Sequence, residues 1–380
     1  MVISAGFAEL SAQGRVLQEE IGRMGTQFGM RIIGPNCNGI WSHPGRLNLA
    51  FDTAPKPGPI AFLSQSGTFG VSMANLASRR GYGVNFFVHL GNQVDLNFAD
   101  CLDHFRRERS VGAIVCYMEG VGSGRRLFES LCRVTKEKPV IVFKGGTSEA
   151  GRRAVLSHTG SLSQDERVFD GMCRQAGAIR AEEPFQSFEM AYALVSQPYA
   201  RGPNVAIVSG GGGFCVTATD ACSKVGLGIP PLDSETRAAI RRFISPVAPD
   251  PSNPIDLAGD MRPWAYSKVL DTVGSLDYIH GILATTPFWM AVQYRTAQTV
   301  KALTEAIDAL MDTLKQIRKP LILVQSSDIT NNPLAALLVR EGVPMYETPH
   351  AAVRAMNALV TYGSSAGGRG SRGGTWARGT

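Results

Sequence analysis

The sequence contains no C-x-x-C pair, and its seven cysteines are odd in number and scattered. That argues against a disulfide scaffold or a cysteine-rich zinc site and suits a reducing cytoplasm. No apolar run reaches the roughly 18 residues needed to cross a bilayer, so no membrane span is expected. The start, MVISAGFAEL, lacks the basic n-region and cleavage signature of a secretory signal. Charged residues are sparse at 18% and aromatics at 8%, and no basic stripe is interleaved with aromatics, so no nucleic-acid platform is expected. His43, His89, His104, His280 and His350 show no metal-ligand spacing, and no metal site is expected. G-x-S-x-G and G-x-x-x-x-G-K-[ST] are both missing, which sets aside an α/β-hydrolase elbow and a P-loop.

What is there fits a globular protein. A hydrophobic share of 44% over 380 residues supports a sizeable core and two or three domains. The net charge is +6, but Arg369, Arg372 and Arg378 crowd the C-terminal stretch. The body is only mildly basic, which a small anionic ligand is enough to explain.

Short apolar runs alternate with segments of helical period. Ile60–Ser64, Val84–Val88, Ala113–Tyr117 and Val140–Phe143 read as strands, with helices at Gly70–Arg80, Phe98–Arg107 and Gly124–Lys136. This alternation predicts a parallel sheet covered on both faces. It then restarts. Val205–Val208, Tyr278–Ala284 and Leu321–Val324 read as strands. Thr217–Lys224, Ser234–Phe243, Thr296–Leu314 and Pro333–Arg340 read as helices. The two α/β units join near Gln197–Pro203, where Pro198, Gly202 and Pro203 break the pattern. At the start, a strand at Val2–Ser4, a helix at Ala8–Phe28 and a strand at Arg31–Ile33 read as the end of a larger domain whose earlier part is missing. Gly363–Thr380 holds seven glycines and reads as a disordered tail.

Three segments could carry chemistry. Ser64-Gln65-Ser66-Gly67-Thr68 joins a strand to a helix and gathers backbone N–H groups, two hydroxyls and the positive end of a helix dipole, a geometry suited to phosphate. The same residues serve equally as a plain helix cap. Ser157-His158-Thr159 follows a glycine-rich loop, Lys144–Leu156, and an imidazole can carry a phosphoryl group. Taken alone, a loop histidine more often bonds a carbonyl. Glu119 stands just past a strand end, where ligands gather in open parallel sheets. It could hold one imidazole nitrogen protonated, or simply face solvent. Gly210–Gly213 opens a later helix but misses G-x-G-x-x-G, because Cys215 holds the last position, and it reads as close backbone packing.

These segments come in one order with others: Ile33–Gly39 (IGPNCNG), Gly58–Gly67 (GPIAFLSQSG), Gly91–Asp95 (GNQVD), Tyr117–Gly120 (YMEG), Ser148–Leu162 (SEAGRRAVLSHTGSL) and Ser252–Leu257 (SNPIDL). The ordered set resembles the NDP-forming acyl-CoA synthetases, which include succinyl-CoA synthetase and ADP-forming acetate–CoA ligase. The likeness spans residue 1 to about 360. It implies an α/β fold of two flavodoxin-like, succinyl-CoA synthetase-like parallel-sheet domains, 56–197 and 203–360. They would follow the end of a Rossmann CoA-binding domain, 1–55, and precede a Gly/Arg tail, 361–380.

The resemblance implies that His158 is the phosphorylated histidine, that Glu119 orients it, and that Ser66, Gly67 and Thr68 bind the phosphoryl group. Asn36 falls within the CoA-binding part. The implied reaction converts a carboxylate, CoA and ATP to acyl-CoA, ADP and phosphate through phosphohistidine and acyl phosphate. ATP/ADP and Mg2+ would be held by an ATP-grasp module on another domain or a beta-type subunit, so the chain alone is expected not to turn over. Succinyl-CoA synthetases carry a tyrosine where this chain has Val71, which argues against succinate. The alternative is a ligase-like regulatory or binding module without chemistry; the pairing of His158 with Glu119 favours the enzyme.

Overall fold

The computed structural model describes residues 1–51, 54–159, 165–260, 262–286, 308, 310–313, 316–325, 338 and 342–365. The chain divides into two units, Met1–Val195 and Ser196–Thr380.

In the first unit, α1 (Ala12–Gln27), β1 (Ile40–Ser42) and β2 (Leu47–Asn48) precede a βα alternation. It runs β3 (Ile60–Ser64), α2 (Gly67–Arg79), β4 (Val84–His89), α3 (Phe98–Arg107), β5 (Ala113–Met118), α4 (Gly124–Val134) and β6 (Val140–Lys144). α5 (Glu149–Thr159), α6 (Glu166–Ala176), β7 (Ile179–Ala181) and α7 (Pro184–Ser196) complete it. The strand order is β2-β1-β4-β3-β5-β6-β7, parallel from β4 to β7 and antiparallel where β1 joins β4.

Successive strand residues point to opposite faces, and both faces here are covered. Leu63, Ile114, Cys116 and Val142 pack with Leu102, Leu131 and Phe169 of α3, α4 and α6 in one core. Phe62 points the other way and meets Phe188 of α7 edge-on at 4.9 Å. The helices start where side chains can satisfy their orphan amides: Asn97 and Asp100 form a reciprocal capping box on α3, and Ser123 Oγ accepts the Arg126 amide on α4.

The second unit holds β8 (Val205–Ser209), α8 (Gly212–Lys224), α9 (Ser234–Arg241), β9 (Ile255–Asp256), α10 (Pro263–Ser275), β10 (Gly281–Thr285), β11 (Leu321–Val324), β12 (Met345–Tyr346) and α11 (Pro349–Ser365). Its parallel sheet has the order β12-β11-β10-β8-β9. Counted from each unit's first parallel strand, both sheets follow the flavodoxin-like order 2-1-3-4-5.

Three expectations change. Val2–Ser4 and Arg31–Ile33 are not strands: the Val2 amide to Ile33 O and the Asn36 amide to Ser4 O are the backbone bonds that link the two stretches, too few for a ladder. α11 runs to Ser365, so residues 361–365 of the expected tail are helical. The segment after Lys144, read as a loop, carries α5. The expected helices Thr296–Leu314 and Pro333–Arg340 lie largely outside the described residues, as do Pro287, Phe288, Trp289 and 366–380. Cys37, Cys116, Cys173, Cys215 and Cys222 are buried free thiols, with Cys101 half-buried. Burial raises the pKa of all six, Cys101, Cys215 and Cys222 to about 12. Among the described residues no helix is long and apolar enough to cross a membrane.

Candidate active site

In the first sheet the chain leaves β3 for β4 on one side, then crosses to β5 on the other. The carboxyl ends of β3 and β5 therefore flank a topological switch point, the usual crevice for ligands in such sheets. The register sets Ser64 beside Tyr117 and Tyr117 beside Phe143, so three strand exits lie in a row.

The first exit turns straight into α2. Ser64 Oγ donates to Ser66 O at 2.6 Å and accepts the Ser66 amide at 3.2 Å. The first helical bond is the Gly70 amide to Ser66 O. Ser66, at the N-cap, makes no side-chain capping bond, so the plain cap reading does not hold for its hydroxyl. Gly67 is a packing requirement: a Cβ there would stand 2.8 Å from Asn38 Cβ and from the His89 ring. A helix mouth of this kind, with opening amides and the positive dipole end, is suited to an anion.

The second exit carries Glu119, 5% exposed. Between the two exits Gln65 acts as a clamp. Its Oε1 accepts the Glu119 amide at 2.7 Å and the Gly120 amide at 3.1 Å, while its own amide donates to Tyr117 O. The Tyr117 hydroxyl donates to Glu119 Oε1 at 3.1 Å. Burial first, then the Glu119 charge, raises the tyrosine pKa, so the phenol stays a donor.

Glu119 and the Ser66–Thr68 turn are thus brought together. His158 lies on α5, whose backbone is described; its side chain and residues 160–164 lie outside the described residues. α5 forms despite its glycines because Ser148 Oγ accepts the Gly151 amide at 3.0 Å and Glu149 complements the helix dipole in the first turn. Gly145 and Gly146 remain as the link, Gly146 at a φ of 70°.

Asn36 sits in a loop with a left-handed φ of 56°. Its Nδ2 donates to Asn92 Oδ1 at 3.4 Å, and the Asn92 and Val94 amides donate to Pro35 O and Gly34 O. IGPNCNG and GNQVD therefore pack on each other.

Sequence reasoning missed Gln65, Asn38 and His89. The buried His89 accepts the Asn38 amide at Nδ1, so its Nε2 is the protonated nitrogen and donates to Gln65 O at 3.0 Å. The one signal for Gln65 and Asn38 was membership in motifs that turn out to be neighbours; His89 lies in none of those motifs. Asn38, Thr68 and Val71 share a cleft of about 790 Å³ along α2. Among the described residues no cluster of three His, Cys, Asp or Glu side chains could hold a metal ion.

In the second unit, Gly210–Gly213 leads into α8. Close packing holds at Gly212 alone of the three glycines 211–213: a Cβ there would lie 2.8 Å from Asp256 Oδ2, whereas Gly211 and Gly213 have open space.

Comparison with known proteins agrees with this layout. Residues 57–194 match the succinyl-CoA ligase-like flavodoxin domain, and residues 205–367 match the Ligase-CoA domain. The alpha subunit of ADP-forming acetate–CoA ligase II from Pyrococcus furiosus is 33% identical over 97% of this chain and 79% of its own length. That of ligase I from the same organism is 33% identical over 95% of this chain and 76% of its own. The dinucleotide forming acetyl-coenzyme A synthetase 1 of Ca. Korarchaeum cryptofilum, solved with phosphate and ADP, superposes with a TM-score of 0.81 at 28% identity, covering 96% of this chain and 77% of that one.

Proposed function

Because this chain belongs to the ADP-forming acid–CoA ligases, with the domains of succinyl-CoA ligase and relatives that are alpha subunits, we propose that it is the component on which the phosphoryl group rests between transfers, with His158 as the carrier. ATP is bound by a beta-type partner subunit or domain of ATP-grasp type, which also brings any Mg2+.

An imidazole nitrogen of His158 attacks the γ-phosphorus. An N–P bond forms, the O–P bond to ADP breaks, and the second ring nitrogen keeps its proton. Glu119 accepts that proton's hydrogen bond and stabilises the charge. A substrate carboxylate then attacks phosphorus, the N–P bond breaks, and acyl phosphate forms. The CoA thiol attacks the acyl carbon, the C–O bond to phosphate breaks, and the thiol proton leaves with phosphate. Ser66, Gly67 and Thr68 stabilise the phosphoryl oxygens at each transfer; one donor of this kind is worth about 10²–10³ in rate. Asn36 flanks the path of CoA. Val71 places no aromatic ring at its own position in the cleft beside Thr68, which argues against succinate.

The observation that carries the reading is the Gln65 clamp, which fixes the backbone of the buried Glu119 beside an uncapped helix mouth at the switch point. The test is incubation with 32P-labelled acetyl phosphate. Acid-labile, base-stable label is expected on the native chain and none on His158→Ala. Label that survives the substitution overturns the assignment. A second assay checks the partner: ATP, CoA and acetate without added protein should yield no acetyl-CoA.

A further inference from the structure

One side chain reaches the first turn of α2, Glu119 and the Gly145–Gly146 link together. The Tyr117 ring stacks on Phe143, its direct cross-strand neighbour on β6, with centroids 5.5 Å apart and planes 16° from parallel. Its other contact is Phe69, in the first turn of α2, at 4.8 Å. Its hydroxyl donates to Glu119 Oε1 at 3.1 Å. The same hydroxyl fills the space beside Gly145, where a Cβ would come within 2.8 Å of it. The ring is therefore placed by its aromatic neighbours, and the hydroxyl is delivered to the carboxylate without help from it.

Resting on the reading above, we propose that Tyr117 is a positioning residue for Glu119. It holds one carboxylate oxygen so that the group keeps a single orientation toward the phosphoryl carrier, and it registers that orientation against both the α2 mouth and the Gly145–Gly146 link to α5. Packing alone does not call for the hydroxyl, since phenylalanine would stack equally well. The phenol matters because it is a neutral donor to a buried charge, the stronger kind of hydrogen bond. Its orienting role also differs from that of Gln65, which holds the Glu119 backbone and not its carboxylate.

The test measures the rate of His158 labelling by 32P-labelled acetyl phosphate in Tyr117→Phe, Glu119→Gln and the double variant. Loss of one hydrogen bond to a charged group predicts about a tenfold slower rate in Tyr117→Phe. The KM for acetyl phosphate and the Tm should stay unchanged, and Tyr117→Phe should add nothing once Glu119 is Gln. A wild-type rate in Tyr117→Phe, or effects that multiply in the double variant, overturns the proposal. If Glu119→Gln labels at the native rate, both the proposal and the reading beneath it fall; if only Tyr117→Phe does, the proposal falls alone. Should Tyr117→Phe prove unstable, 3-fluorotyrosine at position 117 keeps the shape and acidifies the phenol. The alkaline limb of the rate profile should then move to lower pH, and an unmoved limb refutes the idea.

Discussion

The two sheets repeat one frame and finish it differently. In both, the first parallel strand ends in a serine whose hydroxyl bonds the residue two positions on: Ser64 with Ser66, Ser209 with Gly211. In both, a helix starts at once, and the next strand exit stands alongside. The residue after the serine is where the two differ. In the first unit it is Gln65, whose side chain reaches across to the Glu119 and Gly120 amides. In the second it is Gly210, with no side chain, and its amide donates to Thr285 Oγ1 at 3.2 Å. The carboxylate also moves. Glu119 hangs from the neighbouring strand exit, while Asp256 comes from the edge strand and stands against the α8 mouth. A duplicated backbone does not duplicate a site; two or three side chains at strand exits distinguish them.

The sharpest way to break this comparison is to remove each unit's amide clamp. Gln65→Leu strands two buried N–H groups at about 1–3 kcal/mol each and frees Glu119. Labelling should fall by about a hundredfold or more, with a lower Tm. Asn253 is the counterpart in the second unit. Its Oδ1 accepts the Ile207 amide, and its Nδ2 donates to Val205 O and Pro230 O. Asn253→Leu should cost about 2–4 kcal/mol in chemical denaturation while leaving acetyl phosphate labelling near native. Equal loss of labelling in both variants would erase the distinction.

Glycines at the two helix mouths give a smaller contrast. Gly67→Ala drives a methyl into Asn38 and His89, so α2 must shift and labelling should slow about tenfold. Gly213→Ala meets open space and should raise stability by up to about 1 kcal/mol, read as a higher Tm.

The smallest effect concerns pH. Burial, then the Lys319 charge, lowers the His280 pKa, and its Nδ1 accepts the Asn204 amide. The unfolded chain therefore binds the proton more readily. This contribution to stability is complete above the ordinary imidazole pKa of about 6.5 and is lost as pH falls toward the folded value. Tm of the second unit should drop between pH 7.5 and 5.5, and His280→Gln should flatten that slope.

Much of the frame was legible in the chain. β3 to β6, β8 and β11 are continuous apolar runs buried on both faces, the pattern that marks parallel strands. β7, β9 and β12 escaped because two or three residues carry no periodicity. α5 was mistaken for a loop because Gly145, Gly146 and Gly151 signal a turn locally, while Ser148 supplies the cap that starts a helix there. Glu119 and the Ser66–Thr68 turn were legible as strand-exit residues. Gln65 and Asn38 were not, since their roles appear only once β3 is known to lie beside both β4 and β5. At Val2–Ser4 and Arg31–Ile33 apolar composition alone suggested strands, and two hydrogen bonds cannot sustain a ladder.

The buried thiols carry a last consequence for a protein that handles coenzyme A. Nucleophilic attack and disulfide exchange proceed through the thiolate, and burial holds Cys101, Cys116, Cys215 and Cys222 protonated across the working pH range. Protonated and buried, these sulfurs are poor nucleophiles, both toward an activated acyl group and in disulfide exchange with a thiol cofactor.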